Sequence, residues 1–205
     1  MTNPIYTVGC STHTLEHFLD LLKQHAIETL ADVRSTPYSR LNFQFNRESL
    51  ANAVRREGIE YAYFGKELGA RSDDARCYVN GKAVYDRIAA TPLFQSGLQR
   101  LREDYGGVRV ALMCAEKDPI QCHRTILVAR KLVEAGVPVI HILEDGKTET
   151  HDEALSRLLA ALDIPEYDLF RTRDEAIADA YRIQGDAIAY AEPADGNDTH
   201  KGAAR

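Results

Sequence analysis

Short apolar runs alternate with longer amphipathic segments from Ile5 to Leu162, and this alternation leaves the chain few folds to choose from. Ile5 to Val8, Ile27 to Val33, Ile59 to Phe64, Val108 to Met113 and Val137 to Leu143 have the length and apolar content of strands covered on both faces. Between them apolar residues recur at helical spacing. Leu15, Phe18, Leu19, Leu21 and Leu22 mark one helix, and Leu50, Ala53 and Val54 mark another that Gly58 closes. Val84 to Ile88, Leu93 to Tyr105, His151 to Leu162 and Phe170 to Tyr181 follow the same pattern, while Gly65 to Gly81 reads as a surface excursion over a site. The expected fold is α/β, a mostly parallel β-sheet flanked by helices in a Rossmann-like three-layer sandwich. At 205 residues and 44% hydrophobic, the chain suits a single such domain over residues 1–190, with a disordered small and polar tail at 191–205.

One stretch concentrates reactive groups. In Leu112-Met-Cys-Ala-Glu-Lys-Asp-Pro-Ile-Gln-Cys-His-Arg-Thr125 a buried strand runs through the turn at Asp118-Pro119 into a helix carried by Ile120, Ile126, Leu127, Ala129 and Leu132, up to Gly136. Cys122, His123 and Arg124 then fall in the first helical turn, where free backbone N–H groups and the helix dipole favour an anion or a thiolate. In open parallel sheets ligands sit beyond the carboxyl ends of strands. Cys10, Asp32, Arg34, Cys114 and Glu116 all occupy such ends, so a single crevice is expected to collect them.

Charge and cysteine usage limit the partners. A net charge of -6 argues against general adhesion to nucleic acid, although Val33 to Arg56 holds five arginines and a lone acid, Glu48. The acid-rich segment Ile142 to Asp195 reads as a solvated face. No run approaches the ~20 apolar residues of a membrane span, the first residues lack the pattern of an export signal, and the expected location is cytoplasmic. There Cys10, Cys77, Cys114 and Cys122 should be thiols unless they bind metal or do redox work.

Several motifs together resemble a known family. Thr7-Val-Gly-Cys-Ser-Thr12, Asp32-Val-Arg-Ser-Thr-Pro-Tyr-Ser39, Gly58-Ile-Glu-Tyr61, Leu68-Gly69, Leu112-Met-Cys-Ala-Glu116, Pro119-Ile-Gln-Cys-His-Arg124 and Val139-Ile-His-Ile142 are similar, over about residues 4 to 145, to the bacterial domain of unknown function 488. The resemblance implies little about activity. Cys10 stands where that family usually has histidine, and Ala70 replaces the second glycine of its Leu-Gly-Gly. A cysteine can replace a histidine that binds metal, whereas it is a poor substitute for one that acts as a base.

Three functions from different classes follow. The favoured one is an enzyme for a phosphorylated or nucleotide-like substrate. In it Cys122, Glu116 and His123 do the chemistry, and Arg34, Arg124, Asp32 and Ser11 bind the small anionic ligand. No cofactor is required. The second is a transition-metal or redox site drawn from Cys10, His13, Cys114, Cys122 and His123, although the spacing C-x7-C-H fits no closed zinc pattern. The third is a nucleic-acid-binding module on the Arg34 to Arg56 patch, with Tyr38, Phe43 and Phe45 as stacking aromatics. Bland roles compete throughout: Asp32 and Arg34 as an ion pair, Glu116 holding Arg124, Cys114 as a packed thiol, His123 as a cap, and His141 as a satisfied core histidine.

Overall fold

The computed structural model describes residues 3–10 and 13–192. Along the chain run β1 (Ile5–Gly9), α1 (Leu15–Gln24), β2 (Thr29–Asp32), α2 (Arg47–Arg56), β3 (Glu60–Tyr63), α3 (Gly65–Leu68) and the hairpin strands β4 (Tyr78–Val79) and β5 (Lys82–Ala83). They are followed by α4 (Tyr85–Ala89), α5 (Pro92–Tyr105), β6 (Val110–Cys114), a π-helical stretch (Arg124–Ala129) continuing into α6 (Arg130–Glu134), β7 (Val139–Ile142), β8 (Thr148–Thr150), α7 (His151–Ala161) and α8 (Arg173–Ile188). Six strands form a sheet in the order β3-β2-β6-β1-β7-β8, parallel except for β8. Helices cover both faces, so the three-layer α/β expectation holds.

The period-two alternation of strand side chains divides the core. On β6, Val110, Leu112 and Cys114 face the layer that includes α5, α7 and α8, while Ala111 and Met113 face α1 and α2. On β2, Ala31 faces the first layer and Leu30 the second. This parity decides which reactive groups can meet. Cys114 and Cys122 belong to the first layer, whereas Cys10 packs in the second with Val8, Phe18 and Met113.

Strand order locates the crevice. From β2 the chain moves outward to β3, but from β6 it crosses β1 to reach β7, so the connections leave these adjacent strands in opposite directions. A topological switch of this kind opens a cleft beyond the strands' carboxyl ends. The loop after β6 crosses close over β1, because a Cβ on Gly9 would lie 2.1 Å from the Glu116 carbonyl oxygen. Only glycine admits that approach.

Several expectations shift. The last helix runs Arg173–Ile188 rather than from Phe170 to Tyr181, and it ends beside the hairpin, with Ala191 bridged to Lys82 and Glu192 N–H donating to Gly81. The first two residues of the expected tail therefore pair with the fold, and 193–205 lie outside the described residues. The excursion at 65–81 is partly internal, since Leu68 and Cys77 are buried.

His141 lies in a buried chain of hydrogen bonds. Thr7 Oγ1 is 2.8 Å from His141 Nδ1, His141 Nε2 is 3.1 Å from His151 Nδ1, and His151 Nε2 is 2.6 Å from Tyr181 Oη. With both rings neutral, every nitrogen has a complementary partner; protonating both rings makes His141 Nε2–H and His151 Nδ1–H face each other as two donors. Burial lowers the His151 pKa to about 4, and burial followed by the charge of His151 lowers that of His141. The unfolded chain, with histidines near 6.5, therefore takes up protons that the folded chain refuses. The stabilisation is complete above about pH 6.5 and is lost as pH falls toward 4. His151 alone should cost about 2 kcal/mol between pH 7 and pH 5. Urea unfolding at the two pH values tests this: a His151→Gln variant should show a shallower loss, and an undiminished loss would place the effect elsewhere.

Candidate thiol site at the switch point

A cavity of about 460 Å³ lies at this crevice, lined among others by Arg34, Arg71, Tyr85, Glu116 and Gln121, with Cys114, Cys122 and His123 in its wall. Cys114 comes from the last residue of β6. Cys122 is the last extended residue (φ -134°, ψ 143°) before His123 turns helical (φ -59°, ψ -25°). The Cys122 carbonyl accepts from the N–H groups of Thr125 and Ile126, and its Sγ accepts from Arg124 N–H at 3.4 Å. Sulfur thus occupies the place of an N-cap oxygen, and the backbone it caps opens a π-helical stretch, a geometry frequent at functional sites.

His123 is aimed at both sulfurs. Its Nε2 lies 3.1 Å from the Val33 carbonyl, which can only accept, so in the neutral ring the proton sits on Nε2. Nδ1 then faces Cys114 Sγ at 3.5 Å and Cys122 Sγ at 3.8 Å. Burial pushes the Cys122 thiol up, but Cys114 as a donor, the Arg124 charge and His123 outweigh it and hold the thiol well below its ordinary pKa. Cys114 moves the other way, raised by its hydrogen bond to Cys122 and by burial. The pair favours a thiolate on Cys122 and a thiol on Cys114.

Both arginines expected to bind an anion are committed elsewhere. Arg34 Nε and Nη2 donate to the two Asp32 carboxylate oxygens at 2.9 and 2.7 Å, and Nη2 also donates to the Phe45 carbonyl at 2.8 Å. Asp32 and Arg34 do share a side of their strand end, as the alternation predicts, and although Arg34 borders the cavity its guanidinium is tied to Asp32 and to the Phe45 carbonyl on the α1/α2 side. Arg124 is fully buried; Nη1 donates to the Glu116 carbonyl and Nη2 to that of Lys117 at 3.0 Å. It clamps the loop over Gly9 through backbone oxygens, so the expected pairing with the Glu116 carboxylate is corrected. Glu116 itself stands exposed on the cavity wall.

The metal-ligand set narrows as well. Among the described residues Cys114, Cys122 and His123 present donor atoms within 4.8 Å of one another. Cys10 is on the wrong face, with burial raising its pKa to about 11, and His13 packs against His17 with ring centroids 4.7 Å apart. Ser11 lies outside the described residues. For the nucleic-acid patch, Phe45 is core and Arg34 is paired, leaving Tyr38 and Phe43 as its exposed aromatics.

Sequence reasoning missed Tyr85, Arg71 and Tyr190. Arg71 stacks on Tyr190, 4.0 Å from the ring centroid, at the cavity mouth. These residues arrive from α4, the excursion and the end of α8, and no local motif links them.

Among the described residues no helix is long and apolar enough to cross a membrane. A family model described as "Domain of unknown function DUF488" matches residues 14–131, a narrower span than the motif resemblance, with Cys10 outside it. Comparison with curated proteins and with solved structures gives no match.

Proposed function

The chain belongs to the DUF488 family, whose model covers more than half of its 205 residues, and we propose that it is an enzyme using Cys122 as the nucleophile in transfer or hydrolysis of a small, anionic substrate. The observation that carries this reading is His123: its Nε2 is anchored on Val33, leaving Nδ1 directed at two cavity-lining sulfurs. A positioned imidazole beside a thiol is the arrangement that activates a cysteine nucleophile.

In the proposed cycle the Cys122 thiol proton passes to His123 Nδ1. The thiolate attacks an electrophilic carbon or phosphorus centre, and the bond to the leaving group breaks as that group takes the proton from Nδ1. Water, deprotonated by the same nitrogen, then cleaves the thio-intermediate and restores the thiolate. In this reading Glu116, which lines the cavity, orients that water. With Arg34 and Arg124 committed, the substrate's charge falls to Arg71 at the mouth. Free thiols at the catalytic centre require a reducing compartment, and the cytoplasm supplies one.

Alkylation tests the assignment. With iodoacetamide at neutral pH, mass spectrometry should show Cys122 modified about tenfold faster or more than Cys114, Cys10 and Cys77. Equal rates, or a faster Cys114, would remove Cys122 from its role.

A further inference from the structure

We infer that Cys114, Cys122 and His123 form a three-ligand site for a soft divalent cation of the zinc class, whose binding withdraws the Cys122 thiolate from reaction. The regulatory consequence rests on the nucleophile reading above; the metal site rests on geometry alone. In tetrahedral zinc, with Zn–S about 2.3 Å and Zn–N about 2.0–2.1 Å, the sulfur-to-nitrogen edges are about 3.5 Å and the sulfur-to-sulfur edge about 3.8 Å. Here the two sulfur-to-nitrogen separations are 3.5 and 3.8 Å, and all three donor atoms lie within 4.8 Å of one another. A metal therefore fits with little movement.

The surroundings are those of a metal ligand set. The Val33 carbonyl holds His123 Nε2 and fixes the ring so that Nδ1 is the free donor, as outer partners do for metal-bound histidines. Arg124 N–H donates to Cys122 Sγ, an interaction that a coordinated thiolate retains. Two thiolates and a neutral imidazole around a divalent ion sum to zero charge, which suits ligands as buried as these. The three protein ligands leave a fourth position toward the cavity, which also provides the path by which the ion arrives. Binding forms two metal–sulfur bonds and one metal–nitrogen bond, and it releases to solvent whatever protons the two thiols carry. No electron is transferred.

Cobalt(II) is the probe. Added to reduced, metal-free full-length protein, one equivalent should give the visible bands of a tetrahedral site together with near-ultraviolet thiolate-to-cobalt charge transfer, and zinc should displace it. Cys114→Ser, Cys122→Ser and His123→Gln should each weaken affinity more than about a hundredfold, while Cys10→Ser and Cys77→Ser leave it unchanged. An octahedral spectrum, no spectrum, or one insensitive to Cys114→Ser overturns the site. If a variant fails to fold, protection of the wild-type thiols replaces it: zinc should slow alkylation of Cys114 and Cys122 but not of Cys10, and absence of protection is equally fatal. The two proposals fail separately. Cobalt binding with a sluggish Cys122 in the metal-free protein sinks the nucleophile and leaves the site standing, whereas a reactive Cys122 without cobalt binding does the reverse.

Discussion

Arg124→Ala should lower the free energy of unfolding by about 3–5 kcal/mol, the combined cost of two buried carbonyls left without a donor and of a cavity the size of a large side chain. The side chain has no exposed surface, and its two terminal nitrogens hold the Glu116 and Lys117 carbonyls. Deleting it leaves two acceptors short of a donor, each worth roughly 1–3 kcal/mol if water cannot reach it, and opens a void the size of a large side chain. For a chain of this length roughly 2–4 °C of melting temperature is lost per kcal/mol, so the midpoint should fall by about 10 °C. Arg124→Lys should recover little, because a single ammonium cannot span two diverging carbonyls as the planar fork does. Denaturant unfolding with an unchanged slope reads the effect. A loss under about 1 kcal/mol would mean that the loop over Gly9 holds without its clamp.

The same residue shows where the sequence stops being legible. Strand and helix order followed from apolar periodicity, and the placement of Cys114, Asp32 and Arg34 at strand ends followed from strand length. The short strand β8 was missed because Thr148-Glu-Thr150 is polar and pairs only as an antiparallel edge. The position of Cys122 ahead of a helix was also readable, although the π-helical opening was not, since one extra residue in a turn leaves no mark in a short apolar pattern. What a guanidinium binds is not written in its neighbours: Arg124 was expected to meet an anion or the Glu116 carboxylate and instead meets backbone oxygens. Face parity explains the metal set. Cys10 and Cys114 end neighbouring strands, with Cys10 N–H donating to the Cys114 carbonyl at 3.0 Å, yet their side chains enter opposite layers. Which of two adjacent strand ends points to which layer depends on register, and register is fixed only when the strands pair.

Asp32→Ala should be as damaging as the loss of Arg124, about 3–5 kcal/mol, and it decides whether Arg34 is available to an anion. The Asp32 carboxylate is fully buried and accepts from Arg34 N–H at 3.1 Å, Arg34 Nε at 2.9 Å, Arg34 Nη2 at 2.7 Å and Tyr61 Oη at 2.7 Å. Alanine strands a cation that has little contact with solvent and a hydroxyl with no acceptor. Removing the cation as well should relieve much of the damage, so Asp32→Ala with Arg34→Met should be more stable than Asp32→Ala alone, the non-additivity expected of paired charges. Phosphate supplies the complementary measurement. In the wild-type protein Arg34 is satisfied, and added phosphate, left to Arg71 at the mouth, should raise the melting temperature only slightly. In Asp32→Ala the freed guanidinium has a space beside it and a charge to neutralise, so phosphate should raise the midpoint with the logarithmic concentration dependence of a ligand that binds only the folded state. Arg34→Met in that background should abolish the rescue. Equal stabilisation of the wild-type protein and of Asp32→Ala, undiminished when Arg71 is replaced by alanine in both, would show that Arg34 reaches an anion despite its pairing, and would return it to the binding site from which its pairing with Asp32 withdraws it.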